Sequence, residues 1–505
     1  MIQLANIEKL TKEDIPKLDD LITPELSKRA ELYKRYTRKT SDVEYIGQNT
    51  QKVIVPFEKY IIDIASGYLG GKEPVYEVED NSTDTEKLNI IKRILNKVFG
   101  EKDYSKEMEI LIDYITRYND DEAEHYQLVK DILSTGASYE IIYENSDNEL
   151  VYSRLSPLQT IAIWDYSVPR NLIGVVRRST EKDINSKEIN VFEITDKTGT
   201  RIFKGSGNSY EEQPQTEDMK NHNWGDVPFD VVEVQDGTAL FEPVIKLIEA
   251  YEKLVQETKD TFSYNNDAKL KVTGYRPDNG LLIEQRDNEG NVIMKDGQPV
   301  MIDNPLRKQE DEVLLKAQVF YTPEDGDIDW IIKDVPDTAI QNTLKTYIDL
   351  IMMNTGVPQT TDLGFTKADN ASAIDRKFFS LEQTTVEAMQ LLRMAYKRRW
   401  ELIFNRINLK KRTNYDFRDV KITLPKNLPA NENEIVDMYM KLRGLVSDET
   451  IIERVPLNFD AKSELAKMED QDEANLEKEV QKAEAFNKTK EVNTEKFTKK
   501  EENEE

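Results

Sequence analysis

One stretch in the second half of the chain decides the fold: residues 337–383, which read DTAIQNTLKTYIDLIMMNTGVPQTTDLGFTKADNASAIDRKFFSLEQ. Its first part carries apolar side chains at helical spacing, namely Ile340, Leu344, Tyr347, Ile348 and Ile351. This repeat predicts a helix that ends at Gly356. A polar loop follows over 357–370, and Asn370 is the expected N-cap of the next helix. The stretch therefore predicts two helices joined by a polar loop.

The helix after this loop is predicted to be long. Its repeat consists of Ile374, Phe378, Leu381, Thr385, Met389, Leu392, Tyr396, Ile403 and Ile407. A helix of about 35 residues measures about 50 Å at its usual rise per residue. This length exceeds that of most helices in globular proteins, and it indicates a structural beam.

A helix is also predicted upstream, in FEPVIKLIEAYEKLVQETKDTF at 241–262 and onward to 266. One face carries Val244, Leu247, Ile248, Tyr251, Leu254, Val255 and Phe262. Between this helix and the one ending at Gly356 lies a β-rich segment, about 270–333, with hairpin signals at 288–291 and 295–297. Two helices therefore bracket a small β module, which favours an antiparallel helix pair with the module at its tip.

Residues 1–136 are predicted to be mainly helical, apart from a strand in PVYEVE. In the first helix, Thr23 is the expected N-cap and Pro24 the first helical residue. A second helix is expected to end at Gly67. Three further helices are predicted at about 84–99, 104–117 and 121–135, the last ending at Gly136.

From about 137 to 240 the apolar period changes to two, as in TIAIW and VFEIT. Short runs of β-branched and aromatic residues separated by turn formers predict an antiparallel meander. Another helix is predicted at about 431–443. Beyond Asp460 the chain is rich in Lys, Glu, Asp and Asn, which predicts a solvated helical tail.

Composition narrows the function. The 505 residues include no cysteine and only two histidines, and the chain has a formal net charge of -27. Thiolate zinc sites, disulfides and histidine-based catalytic centres are therefore not expected, and the charge disfavours a broad nucleic-acid-binding face. No apolar run approaches the roughly 20 residues of a membrane span, and the first residues do not resemble a secretory signal. Phosphate-loop, dinucleotide and hydrolase motifs are absent from the sequence.

Four candidate sites remain, each with a simpler interpretation that we favour. The acidic run 324–329 has oxygen ligands for Mg²⁺ or Ca²⁺, but it lacks the EF-hand spacing, and we favour a solvated turn before a strand. The glycines at 205–207 are expected to form a hairpin turn. His125 is expected on a helix surface. The basic residues Arg177, Arg178, Lys397, Arg398 and Arg399 are expected to pair with acidic neighbours rather than with nucleic acid.

Several stretches, taken in order, resemble the portal proteins of tailed double-stranded DNA bacteriophages, of the siphophage type. They are NTQKVIVPFEKYIIDIASGYLGGKEPVYE (49–77), STGASYEIIYENSDNELVYSRLSPLQTIAIWD (134–165), WGDVPFDVVEV (224–234) with FEPVIKLIEAYEKLVQETKDTF (241–262), ADNASAIDRKFFSLEQ (368–383) and GLVSDETIIERVP (444–456). No single stretch is diagnostic, but five stretches in the right order, covering nearly the whole chain, make the resemblance fairly specific.

The resemblance implies an α+β portal-type fold with a helical and β wing, a two-helix stem carrying a small β clip, a long kinked helix and a helical crown. The implied parts are the wing (1–240), stem helix 1 (241–266), the clip (267–336), stem helix 2 (337–356), the tunnel loop (357–370), the long helix with the wing return (371–429), and the crown with its charged tail (430–505). The tunnel loop would project into a central channel.

The implied channel residues and subunit contacts follow from this assignment. The tunnel loop offers neutral hydrogen-bonding groups and few charges, at Gln359, Thr360, Thr361, Asp362, Thr366 and Lys367. Weak, neutral contacts suit a sliding partner, because several phosphate contacts would hold DNA firmly. On the stem, we expect Leu344, Ile348 and Tyr251 to lie at the interface between subunits.

The resemblance also implies the partners and the location. They are further copies of the chain in a dodecameric ring, double-stranded DNA in the channel, the terminase large subunit, the major capsid or scaffolding protein, and a head-completion (adaptor) protein. We expect no cofactor, no metal, no membrane partner and no enzymatic activity. The chain would occupy a capsid vertex of the virion, after assembly in the host cytoplasm. Two alternatives stay open: a metal-dependent nuclease or phosphodiesterase built on acidic clusters, and a scaffold that oligomerises without a channel.

Overall fold

The computed structural model describes most of the chain up to residue 427. The described ranges are 2–42, 45–46, 50–78, 105–182, 188–266, 269–273, 280–287, 289–295, 297–316, 326–331, 336–359, 371–427 and 441. The chain divides into two compact units. The first unit comprises Met1–Tyr33, Tyr60–Leu240 and Thr355–Glu505, and the second comprises Lys34–Lys59 and Phe241–Asn354.

The described helices are, in chain order, α1 (Ile15–Tyr36), α2 (Phe57–Gly70), α3 (Ser105–Tyr118), α4 (Asp121–Thr135), α5 (Glu217–Lys220), α6 (Ile245–Asn266), α7 (Pro305–Lys316), α8 (Asp337–Thr355) and α9 (Ala371–Lys411). The described strands are β1 (Ile2–Gln3), β2 (Tyr45–Ile46), β3 (Thr50–Gln51), β4 (Val75–Val78), β5 (Ala137–Glu144), β6 (Leu150–Leu155), β7 (Thr160–Trp164), β8 (Leu172–Lys182), β9 (Glu188–Asp196), β10 (Thr200–Ser206), β11 (Ser209–Glu212), β12 (Phe229–Glu233), β13 (Lys269–Thr273), β14 (Leu282–Glu284), β15 (Met294–Lys295), β16 (Gln298–Pro299), β17 (Met301–Asp303), β18 (Asp327–Ile331) and β19 (Val420–Thr423). Both helix and strand are abundant, so the chain is of the mixed α+β type, as predicted.

The first unit is built on a six-stranded sheet in the order β1-β7-β8-β9-β10-β11. Strands β7 to β11 form the predicted antiparallel meander, whose last hairpin turns at Gly207 with a φ of 59°. The short strand β1 joins it in parallel, with Ile2 opposite Ile163. A strand of two residues leaves no periodicity to detect, and the sequence did not predict it.

The strands of 137–240 do not all belong to that meander, and this part of the prediction was wrong. Strands β5 and β6 form a hairpin, and β12 returns to pair with β5, so these three make a separate sheet in the order β12-β5-β6. Strand alternation explains how the two sheets stack. Ile161 and Ile163 of β7 join an apolar cluster with α1, whereas Ala162 packs with residues of the three-stranded sheet.

The other face of the three-stranded sheet is covered by helices. Helix α9 packs on β12, and α4 packs on β5 and β6. The first unit is therefore layered as helix α1, six-stranded sheet, three-stranded sheet, and then the helices α4 and α9. Helix α9 is therefore one of the outer layers of this unit.

Two predicted helix ends were wrong. Thr23 and Pro24 lie inside α1, which begins at Ile15 because the apolar repeat of Ile15, Leu18 and Ile22 starts earlier. The Thr23 hydroxyl donates to Asp19 at 3.1 Å instead of capping a helix. Likewise α2 continues past Gly67 to Gly70.

The second unit joins an N-terminal segment to helix α6 through charged side chains. Arg38 donates to Glu58 at 2.8 Å and to Glu252 of α6 at 3.1 Å, and Arg35 donates to Glu58 and to Glu249. Glu58 and Glu252 are almost fully buried. Buried charges are tolerated only when they are paired, so these contacts hold residues 34–59 to α6.

The β module of the second unit has the predicted hairpins and one unpredicted helix. Strand β13 pairs with β18, which brings the two ends of the module together. Strands β14 and β17 pair, as do β15 and β16, and Gly290 and Gly297 have the positive φ that tight turns require. Helix α7 was missed, although Asn304 caps it and Pro305 opens it.

Some predicted elements lie outside the described residues. They are the helix at about 84–99, the helix at about 431–443 except for Lys441, and the charged tail.

Candidate channel loop and its support

The predicted loop follows Gly356, a position where no residue larger than glycine fits. Helix α8 ends at Thr355, and Gly356 follows with a φ of 73°, so the predicted helix end is confirmed. A Cβ on Gly356 would lie 2.7 Å from the backbone carbon of Ser380 and 2.8 Å from the nitrogen of Leu381. The backbone after α8 therefore runs directly against the backbone of α9.

The next residues are held in place by further contacts. Val357 is buried, and the carbonyl of Pro358 accepts a hydrogen bond of 3.1 Å from the hydroxyl of Tyr60. The hydroxyl of Thr384 donates to the carbonyl of Thr355 at 3.2 Å. The chain is thus anchored on α2 and α9 before the polar residues of the loop begin.

The early turns of α9 are anchored as well. The ring of Phe378 stacks on Tyr68 of α2, with the ring centroids 4.2 Å apart. One turn later, Glu382 accepts a hydrogen bond from the Tyr68 hydroxyl and pairs with Lys426. Partial burial opposes ionisation of Glu382, but the hydrogen bonds from Lys426 and Tyr68 outweigh it and lower the pKa of this carboxyl.

One of the predicted loop residues lies in the described part of the chain. Gln359 is described and is half-buried, whereas Thr360, Thr361, Asp362, Thr366 and Lys367 lie outside the described residues, as does Asn370. The role of these residues stays a prediction.

The three residues expected at a subunit interface all lie in the second unit. Leu344 and Ile348 are half-buried on α8. Tyr251 of α6 contacts Phe57 of the same chain, with the rings edge to face and their centroids 5.1 Å apart. The structure brings Leu344 and Ile348 onto one helix, and their part in a subunit contact stays a prediction.

The long helix is bound to the rest of the first unit by Arg399, whose burial the sequence did not predict. Arg399 donates two hydrogen bonds to Glu140, of 2.7 and 2.9 Å, and one of 2.7 Å to Asp121. Its guanidinium also lies 4.1 Å from the ring centroids of Tyr152 and Tyr396. Arg399 thus joins α9 to β5 and α4.

His125 does not lie on a helix surface, so that expectation was wrong. Its side chain is fully buried in α4, and Nδ1 lies 2.7 Å from the hydroxyl of Tyr396 on α9. Burial lowers the pKa of His125 to about 4. The position fits the apolar repeat of α4, because His125 is three residues before Leu128 and four before Val129, both buried.

The predicted pairing of basic residues with acidic neighbours is confirmed for four of them. Arg177 pairs with Glu193 and Arg178 with Asp19, both at 3.0 Å. Arg398 pairs with Asp226 at 2.9 Å. Together with Arg399, these arginines satisfy their charges within the chain.

Comparison with known families identifies the family of this chain. A family model described as "Phage portal protein, SPP1 Gp6-like" matches residues 17–478 of the 505. The chain belongs to the phage portal protein family. Comparison with curated proteins finds no match.

The match places this portal-family chain among structural proteins of the capsid vertex that serve genome packaging. In the described ranges, no group of three or more His, Asp or Glu side chains is arranged so that it could hold a metal ion. Of the acidic run at 324–329, Asp327 and Asp329 lie in β18, whereas Glu324 and Asp325 fall outside the described ranges. As far as the helices are described, none is both long enough and apolar enough to span a membrane.

The β module carries a second feature that sequence reasoning missed. Its small strands expose apolar side chains to an unusual extent: Leu282, Ile283, Met294, Met301 and Ile302. Leu282 is 51% exposed and Met294 58%. The described hairpins of this portal-family module therefore carry apolar side chains on their surface.

Proposed function

We propose that copies of this chain close into a ring around an open axis and form the channel through which double-stranded DNA enters and leaves the capsid. The observation that carries this proposal is the family match over residues 17–478. Ring closure requires each copy to present two different surfaces that fit each other. The implied number of copies is twelve, from the resemblance of the sequence to the portal family.

The anchoring at both sides of residues 357–370 supports a channel role for this loop. The chain is fixed on α2 and α9 at Pro358 and again near Phe378. The anchored residues before and after the loop would give it the same attachment points in every copy, which a constriction made by many copies requires. Its side chains include one cation, Lys367, and two acids, Asp362 and Asp369, and so little positive charge suits weak contacts with moving DNA.

The exposed apolar surface of the second unit supports a subunit or partner contact there. We assign residues 241–266 and 337–356 to the stem and 267–336 to the clip. Leu344, Ile348 and Tyr251 then lie on stem helices, and the exposed apolar residues of the hairpins lie in the clip. The clip would bind the terminase large subunit and later the head-completion protein.

The remaining parts are assigned by the same scheme. Residues 1–240 form the wing, 371–429 the long helix and wing return, and 430–505 the crown. The wing and crown would contact the major capsid or scaffolding protein at the vertex, after assembly in the host cytoplasm. Portal proteins are in general structural and non-enzymatic, so the energy for packaging would come from the terminase and not from this chain.

Electron microscopy of the purified chain tests the proposal. Negatively stained particles should show an annulus with an axial hole, whereas a scaffold without a channel would give particles without one. Leu344→Asp should reduce the rings to monomers, because a carboxylate would be buried without a partner at the stem interface. Thr346→Asp, at an exposed position two residues further along α8, is the matched control and should leave rings intact.

Solution mass and circular dichroism complete this test. Both variants should keep the helix content of the parent chain, so that a lost ring is not mistaken for unfolding. Compact particles without a pore from the parent chain would refute the channel. Intact rings from Leu344→Asp would refute only the stem assignment.

A further inference from the structure

Two buried carboxyl groups face each other across neighbouring strands of the first unit. Asp230 of β12 is the register partner of Glu140 of β5. Their residues are 3% and 1% exposed. Like charges directly opposite each other on adjacent strands are destabilising, and burial increases the repulsion because water no longer screens it.

The single cation at this place cannot neutralise all the acidic groups around it. Arg399 gives two hydrogen bonds to Glu140 and one to Asp121, and its nearest approach to Asp230 is 3.7 Å. Three carboxyl groups therefore surround a single guanidinium. If all three were ionised, the set would carry two negative charges in excess, within the protein interior.

The hydrogen bonds show which carboxyl keeps a proton. Both oxygens of Glu140 accept charge-assisted hydrogen bonds from Arg399, which favours its ionised form. Neither oxygen of Asp230 has a hydrogen-bond donor among the described residues. A carboxylate without donors is the most costly group to bury, so the proton belongs on Asp230.

We propose that Asp230 and Glu140 form a proton-binding site that holds one proton at neutral pH, and that loss of this proton weakens the attachment of helix α9 to the three-stranded sheet. The site lies where α9 meets β12, since Arg398 donates to the backbone carbonyl of Phe229, the residue before Asp230. Loss of the proton would place a second negative charge beside Glu140 and pull Arg399 between two carboxylates.

The neighbouring charged and titratable groups offset this charge only in part, because each arginine among them already has an acidic partner. They are Asp121, Glu124 and His125 on α4, Tyr152 and Arg154 on β6, Tyr76 on β4, and Tyr396, Arg398 and Arg399 on α9. Arg154 is paired with Asp131, and Arg398 with Asp226. His125 is held neutral by burial.

The direction of the pH effect follows from the burial. Desolvation, followed by the charge of Glu140, raises the pKa of Asp230 well above its ordinary value, and desolvation also raises that of Glu140. The folded chain then binds a proton that the unfolded chain has already lost. This contribution is fully present below the ordinary carboxyl pKa, about 4, and is lost as the pH rises towards the raised value.

Asp230→Asn tests the site, because asparagine has the shape of the protonated carboxyl and cannot ionise. Asp226→Asn is the matched control, since Asp226 lies on the same segment in a half-exposed pair with Arg398. Unfolding by urea is measured from about pH 5 to about pH 9 in full-length protein. Between parent and Asp230→Asn, the ratio of folding constants should change by up to about tenfold per pH unit, the value for one proton.

Two direct readouts accompany the titration. Infrared difference spectra should show the band of a protonated carboxyl in the parent and in Asp226→Asn, and should lack it in Asp230→Asn. In the parent, the amide exchange rate of α9 should rise with pH by more than base catalysis of exchange explains. In Asp230→Asn, this additional rise should be smaller. An unchanged pH slope, an unchanged carboxyl band, or failure of Asp230→Asn to fold would each overturn the proposal.

Discussion

Replacing Gly356 by alanine would test whether the start of the loop is fixed by the close approach of two backbones. Gly356 has a φ of 73°, and a Cβ there would lie 2.7 to 2.8 Å from backbone atoms of Ser380 and Leu381. The neighbouring atoms are main chain within a helix, so they cannot rotate away as a side chain would. Gly356→Ala must therefore move either the end of α8 or the start of α9.

The magnitude has two parts. An L-residue in the left-handed region costs about 1–2 kcal/mol. Forcing an extra methyl group into a packed site costs about 1–3 kcal/mol more. The sum is about 2–5 kcal/mol for Gly356→Ala. Gly207→Ala is the control, because Gly207 has a φ of 59° but open space around its Cβ position. It should show only the first part, about 1–2 kcal/mol.

Native-state hydrogen exchange measures the effect where it occurs. Peptides covering residues 350–358 and 378–385 should exchange faster by at least about 30-fold in Gly356→Ala, the factor that 2 kcal/mol corresponds to. Gly207→Ala should leave these peptides unchanged and affect only the β10–β11 hairpin. Equal exchange of both peptides in Gly356→Ala and the parent chain would refute the close approach.

Three further predictions concern the first unit and the loop. Arg399→Gln should destabilise the first unit by about 3–5 kcal/mol, because it leaves buried carboxylates unpaired. Arg177→Gln, in a partly exposed pair, should cost no more than about 1 kcal/mol. Urea titration compares the two variants, and equal losses of stability would contradict the prediction. His125→Gln should lose less stability than the parent between pH 6.5 and about pH 4, because the unfolded parent binds a proton at His125 in this range that the folded chain excludes; thermal melting at stepped pH measures it, and parallel curves would refute it. Thr361→Lys should make DNA binding by assembled rings tighter and more sensitive to salt, and an unchanged salt dependence would argue against contact between loop and DNA.

Much of the fold follows from periodicity alone. Helices α3, α4, α6, α8 and α9 and the strands of 137–206 were all predicted, because each covers enough residues to show a repeat. What the sequence could not show is which strands pair. β5 and β12 are almost a hundred residues apart, and only the pairing itself explains why Glu140 and Asp230 meet.

The sequence also could not show which single charged residues are buried. Lys397, Arg398 and Arg399 are adjacent and look alike in the sequence, but successive residues of a helix point about 100° apart. Arg398 reaches a half-exposed acid, whereas Arg399 enters the interior. His125 is a similar case. Its spacing from Leu128 and Val129 was the available signal, and the acidic residues around it, such as Glu122 and Glu124, concealed it.

The contact of residues 34–59 with helix α6 has a consequence for biosynthesis. Arg38 can pair with Glu58 of its own segment early, but its second partner, Glu252, is synthesised more than two hundred residues later. A nascent chain exposes this segment long before its counterpart leaves the ribosome, so the second unit cannot mature in the order of translation. A fragment consisting only of residues 241–354 would likewise expose Glu252 without its arginine, and such excised pieces should be expressed together with the N-terminal segment.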